Sequence, residues 1–254
     1  MKTAFTIARV PLWSDLEFVI DGNSKITCED GTPDQPVANA FSLPHISTCP
    51  GSTPTCRAGC YVHGLQEHAK DTYAHYVQNE RTLHKILISD RTADRAADIL
   101  GRYIAQHVTR FRWHVSGDVM SSRHAAWISA VCAAAPGVRF WIYTRTFGVL
   151  HALRARNLVV NLSADADNID TARAFAQAGG LRLCYYTRAG EIPDLPPGSV
   201  VFPDYPLRGR DLADPLDTPF WVTLTREQKS MVCPADYFGQ SDAHRCGPCR
   251  KCLV

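Results

Sequence analysis

Three cysteines in a twelve-residue stretch, Cys49, Cys56 and Cys60, constrain this chain more than any other feature. They lie in Thr48-Cys-Pro-Gly-Ser-Thr-Pro-Thr-Cys-Arg-Ala-Gly-Cys-Tyr-Val-His63, where Pro50, Gly51, Pro54 and Gly59 keep the backbone irregular. An irregular loop can wrap several thiolates around one point. A regular helix or strand with this spacing cannot. The run Phe41–Ile46 before the loop reads as a short strand, and Leu65–Leu87 after it as one long helix. A cysteine loop between a first strand and a first helix has the layout of a metal site.

The chain has ten cysteines. The N-terminus, Met1-Lys-Thr-Ala-Phe-Thr-Ile-Ala-Arg-Val-Pro11, shows no apolar core of a secretory signal, so the expectation is a cytoplasmic protein with free thiols. Seven of the ten cluster: the loop group, and Cys233, Cys246, Cys249 and Cys252 at the C-terminus. Cys132 lies in an Ala-rich helix and Cys184 in an apolar strand, and both read as small buried hydrophobes. Cys28 has no assigned role. The net charge of +2 does not indicate a nucleic-acid partner, and no apolar run reaches the length of a membrane span.

Along the chain, a hairpin is expected around Asp21-Gly22-Asn23, and 31–36 reads as a loop. A second helix is expected over Thr92–Val108, with Ala93, Ala96, Ala97, Leu100, Ile104 and Val108 on its apolar side. From residue 111 strands and helices alternate. Strands are expected at 111–116, 138–144, 158–162, 181–186, 199–202 and 220–224, with helices at 123–135, 147–155 and 170–178. This alternation predicts an α/β fold with a parallel sheet, as a full or partial (β/α) barrel over 41–225. Residues 1–40 read as an N-terminal extension and 226–254 as a cysteine-rich metal-binding segment. Polar residues follow successive strands: His114, Ser116 and Asp118; Thr144 and Arg145; Asn161 and Ser163; Thr187 and Arg188; Asp204. In a parallel barrel this end of the sheet is the site face, and the cysteine loop would share it.

The C-terminal spacing, Cys-x12-Cys-x2-Cys-x2-Cys, overlaps two Cys-x2-Cys units in the manner of ferredoxin-type cluster ligation. Structural zinc is the alternative, although zinc more often uses two separated pairs. The loop spacing is Cys-x6-Cys-x3-Cys. Three thiolates on a four-iron cluster leave one iron open, whereas a zinc site completed by His63 or His45 would be closed. The two groups could also meet in one larger or mixed-metal cluster.

A cysteine loop after a first strand, a (β/α) barrel and a C-terminal cysteine group together resemble the radical S-adenosylmethionine enzymes. That family holds a four-iron cluster on Cys-x3-Cys-x2-Cys. Here Cys56-x3-Cys60-x2-His63 matches two of the three cysteines, and Cys49 would replace the third. The resemblance implies iron–sulfur clusters, S-adenosylmethionine as cofactor, an electron donor as partner and radical or redox chemistry on an unidentified substrate. It places Ser116, Gly117 and Asp118 at the cofactor, and Arg145, at a strand end on the same face, would lie near enough to contact it. Over more of its length the chain resembles the phage gene-product-eighty-eight family, through Cys49–Tyr61, Trp113–Asp118 and Cys246–Cys252. That resemblance implies a phage-type metalloprotein acting in the host cytoplasm, with no substrate specified. The competing reading is a non-catalytic binding or regulatory protein with structural zinc or iron–sulfur sites.

Overall fold

The computed structural model describes residues 7–23, 25–26, 38–209, 214–239 and 244–253. Cys28 and the 31–36 loop fall outside them. The chain starts with an antiparallel hairpin, β1 (Ala8–Trp13) and β2 (Leu16–Ile20). Six parallel strands follow: β3 (Ala40–Phe41), β4 (Arg110–Trp113), β5 (Arg139–Thr144), β6 (Leu158–Ala164), β7 (Arg182–Thr187) and β8 (Val200–Pro203). They pair in sequence order, β3-β4-β5-β6-β7-β8.

That order determines what each face of the sheet does. Parallel crossovers are right-handed, so a sheet that always steps the same way has its crossing helices on one face. On that face, Phe111, Trp113, Phe140 and Ile142 pack with residues of α4 (Asp90–His107) and α5 (Ser122–Ala134) in one core. Leu162, Ala164, Leu183 and Tyr185 pack with Ala172 and Ala176 of α6 (Ile169–Gly179) in a second. Burying each large apolar side chain in these cores contributes about 1.5–3 kcal/mol. The opposite face, free of crossovers, is left for the site.

The barrel expectation reduces to this open sheet: among the described residues β3 and β8 are edges and do not pair with each other. Both edges are covered, which blunts their exposed hydrogen-bonding groups. Asp21, just past β2, bridges to Ala40 of β3, and Val232 bridges to Val201 of β8.

Several elements differ from the sequence expectation. The strand over 41–46 shrinks to Ala40–Phe41, since Pro44 lacks the N–H a ladder needs. The helix over 65–87 divides into α2 (Leu65–His68) and α3 (Lys70–Ile86), separated by Ala69 at φ −141°. The hairpin turns at Ser14-Asp15, with Ser14 at φ 54°, and not at Asp21-Gly22-Asn23. The strand over 220–224 is instead a helix, α7 (Pro219–Thr223): the Thr218 hydroxyl accepts from the Trp221 N–H, and Pro219 occupies the first turn. The apolar face expected for the second helix is the face that α4 buries. No described helix is long and apolar enough to cross a membrane.

Candidate functional site

The cysteine loop lies across the carboxyl ends of the strands, as the sequence implied, held by hydrogen bonds at three of them and by a close backbone approach at a fourth. Asp118 N–H, beyond β4, donates to the Thr48 carbonyl at 3.2 Å. The Tyr61 hydroxyl donates to the Val115 carbonyl. Thr53 Oγ1 donates to Asp165 Oδ2 at 2.6 Å and Thr55 N–H to Asp167 Oδ2 at 2.8 Å, both beyond β6. The Tyr186 hydroxyl, on β7, reaches the Gly59 carbonyl at 3.4 Å. Beyond β5, a Cβ at Gly51 would stand 2.3 Å from the Arg145 carbonyl oxygen, so only glycine permits this approach. Thr53 also caps the short helix α1 (Pro54–Ala58), which carries Cys56.

Under the loop, Asp118 is buried and fully engaged. Its Oδ1 accepts from Val119 N–H at 2.7 Å, and its Oδ2 from Arg145 N–H at 2.8 Å and Thr146 Oγ1 at 3.3 Å. Burial nevertheless pushes its carboxyl pKa up. Gly117 has φ 80°, and a Cβ there would meet Leu43 Cβ and Thr48 Oγ1 at 2.6 Å. Ser116 is buried, and its carbonyl accepts from Leu43 N–H at 2.9 Å. Ser116-Gly117-Asp118 therefore forms the seat of the loop. Of the four residues expected at a cofactor, Arg145 alone lines the cavity described below. Its guanidinium pairs with the buried Asp165 at 3.2 Å. His63 has both ring nitrogens in contact, with Arg57 O at 2.7 Å and His45 Nε2 at 3.2 Å.

The C-terminal group approaches from the other side. Helices α8 (Arg226–Met231) and α9 (Pro234–Tyr237) lead past Cys233, whose N–H donates to the Val201 carbonyl at 2.8 Å. The tail helix α10 (Cys246–Cys249) is tied to the N-terminal segment by Cys246 N–H donating to Lys25 O at 2.8 Å. Asn161 Nδ2 holds the Cys252 carbonyl at 3.2 Å, and Leu253 packs on Trp141 with Ile26. The tail thus folds over the face that the crossover helices leave open.

Between loop and tail is a cavity of about 740 Å³. Cys56 and Cys60 line it from the loop, and Cys233, Cys246, Cys249 and Cys252 from the tail. The sheet's free face forms its wall through Arg112, Tyr143, Ser163, Cys184, Tyr186 and Phe202. These are alternate residues along their strands, as the two-residue period requires. Of the polar strand-end residues, Arg145, Ser163 and Asp204 reach the cavity, whereas His114, Thr144 and Thr187 are buried.

Every described cysteine is a free thiol. Burial pushes the Cys49 thiol up to about 12, helped by the nearby Asp118 charge. Burial also raises Cys56 and Cys60, against the pull of Arg145. It raises Cys233, and takes Cys246 to about 12. Cys252 goes the other way, to about 7, because the Cys184 thiol and then the Tyr143 hydroxyl hydrogen-bond its sulfur. Arg112 lies 4.8 Å over the Tyr143 ring. Burial opposes its charge, but Tyr61, Tyr143, Cys246 and Asp236 around it win, and its pKa rises.

Among the described residues no three His, Cys, Asp or Glu side chains converge closely enough to hold a single metal ion. Zinc needs its donors about 2.0–2.3 Å from one point, so these thiols would have to close in on it. An iron–sulfur cluster takes each thiolate on a different iron, around a larger body, and suits donors spread along a cavity wall. Sequence reasoning missed Cys184 at this site. Its position, two residues before Tyr186 and out of phase with the apolar Leu183 and Tyr185, was the available signal.

With the loop, the Trp113–Asp118 seat and the closing cysteine run brought together, the comparison with known proteins can be placed on this site. The family model for gene product 88 matches residues 17–254. The chain belongs to that family. It is 32% identical over 159 residues to the Gene 88 protein of Mycobacterium phage L5 and 30% identical over 159 residues to that of Mycobacterium phage D29. Each match covers 59% of this chain, and 66% and 65% of the two relatives, a little under two thirds of their lengths. No solved structure matches this gene product 88 family member.

Proposed function

We propose that this is a phage-type iron–sulfur enzyme. Cys49, Cys56 and Cys60 hold a cluster with one coordination position facing the cavity, and the C-terminal cysteines hold a second or shared metal site. The observation that carries this reading is that Cys56 and Cys60 of the loop line one cavity with the four tail cysteines, although about 170 residues separate them in sequence. When bound, such a cluster supplies one-electron chemistry.

The chain's own residues do the rest. Asp118, Thr53 and Asp165 hold the loop rigid on the strand ends. Arg145 and Arg112 offer positive charge beside the thiols, fit to neutralise bound thiolates and to hold a substrate carboxylate or phosphate. Tyr61, Tyr143 and Tyr186 give the cavity an aromatic wall that limits water. Because burial keeps most of these thiols protonated near neutrality, metal loading releases protons and is favoured as pH rises.

S-adenosylmethionine is the proposed ligand of the open position, and Arg145, which borders the cavity, would contact it, while Ser116-Gly117-Asp118 holds the loop in place. In the test, protein purified without oxygen is analysed for iron, sulfide and absorption, then reduced and mixed with S-adenosylmethionine. The expected results are a coloured protein with iron and sulfide, a changed electron paramagnetic resonance signal, and release of 5′-deoxyadenosine. A colourless protein holding zinc alone would refute the iron–sulfur reading. An intact, reducible cluster unaffected by S-adenosylmethionine would remove radical chemistry.

A further inference from the structure

Cys184 belongs to neither cysteine motif, yet it stands where the tail thiols gather. Strand β7 places Leu183 and Tyr185 against α6, so Cys184 faces the opposite way, into the cavity. It is 1% exposed. Across the sheet its neighbours are Ser163 on β6 and Val200 on β8, small or apolar side chains that leave its sulfur open toward the tail. Its thiol hydrogen-bonds that of Cys252. Backbone contacts fix the tail thiols from three directions. Asn161 holds the Cys252 carbonyl, Val201 holds the Cys233 amide, and Lys25 holds the Cys246 amide.

We propose that Cys184 is a thiolate ligand of the C-terminal metal site, forming with Cys233, Cys246 and Cys252 a four-sulfur set that ties the sheet to the tail. This rests on the metal-cluster reading above. Five thiols then border a site that a four-iron cluster fills with four. The Cys252 sulfur hydrogen-bonds Cys184 and lies within electrostatic reach of Cys233 and Cys246, while Cys249 lies three residues beyond Cys246 on α10 and within electrostatic reach of it. Cys249 is the thiol left over. One ligand on a core strand and three on the tail make metal binding a clamp between the two, where a tail-only set would fold the tail upon itself.

The test compares the full-length protein with Cys184→Ala, Cys249→Ser and Cys252→Ser, all purified without oxygen. Iron, sulfide and electron paramagnetic resonance spectra are measured, and limited proteolysis reports tail docking. Cys184→Ala should lose the second site's iron and sulfide, about half the wild-type content for two clusters of equal size, as Cys252→Ser should. Its tail should be cleaved faster, while Cys249→Ser keeps wild-type content. Wild-type iron and sulfide in Cys184→Ala would overturn the proposal and leave the metal-cluster reading standing. A wild-type protein without iron or sulfide would overturn both. If Cys184→Ala does not fold by circular dichroism, Cys184→Ser decides. Reduced iron content or a shifted spectrum supports ligation, and an unchanged spectrum at full content overturns it.

Discussion

Cys56 and Cys60 of the loop face the same cavity as the four tail cysteines, but the two groups are fastened there differently. The N-terminal loop is held by groups other than thiols: Thr53 on Asp165, Thr55 on Asp167, Thr48 on Asp118, and the close approach of Gly51 to Arg145. The closing run, residues 244–253, reaches the sheet through Asn161 on the Cys252 carbonyl and Leu253 on Trp141, and is otherwise tied to neighbouring segments, by Lys25 on the Cys246 amide and by Lys251 on the Ser230 and Val232 carbonyls. The loop is therefore held on the strand ends by the protein's own groups, and under the metal reading proposed above the closing run would depend more on what its thiols bind. If the proposed metal site fastens that second wall, the sheet would fold first and the site would close afterwards.

Breaking the rigid wall should have the largest effect. Asp165 is fully buried and holds both Thr53 and Arg145. Asp165→Ala strands the Arg145 charge, and unfolding by denaturant should show a loss of about 3–5 kcal/mol. Next, Gly51→Ala forces a Cβ against the Arg145 carbonyl and should cost about 1–3 kcal/mol. Neither change should alter the tail's own contacts. On the other wall, Cys246→Ser should leave sheet stability nearly intact but make cleavage within 226–253 roughly tenfold faster, the equivalent of about 1.4 kcal/mol of local stability. Equal protection of the tail in this variant would contradict the proposal that metal fastens this wall.

The smallest effect concerns Asp21, beside the cavity. Burial raises its pKa to about 6, against hydrogen bonds from Tyr76 and Ser42. A raised folded pKa gives stability that is present below the unfolded value near 3.8 and lost as pH rises through about 6. Asp21→Asn should flatten the fall in stability between pH 4 and 6 relative to the unmodified protein. An identical pH profile would show that Asp21 is not the titrating group.

These contacts also explain how much was legible in the sequence. The loop's place on the strand ends followed from strand–helix alternation, and the buried face of α4 from its alanine spacing. The polar strand-end residues marked the right end of the sheet, but most of them serve the backbone. Asp118 could not be told from a ligand contact without seeing Val119, Arg145 and Thr146 donate to it. The apolar run Phe220-Trp-Val-Thr-Leu224 has no period that separates strand from helix, and Thr218-Pro219, a cap and a first-turn proline, decides it. Ser14 turns the hairpin without a glycine or asparagine to announce it. Cys184 was hidden because its partner lies 68 residues away, on a tail whose path over the sheet depends on tertiary packing.

The central claim is that loop and tail thiols face each other across one cavity. It is tested most directly by treating metal-free, reduced protein with a short thiol-to-thiol cross-linker and mapping the products by mass spectrometry. The account predicts cross-links joining Cys56 or Cys60 to Cys246, Cys249 or Cys252. Cross-links confined within each group, with both groups modified, would contradict it.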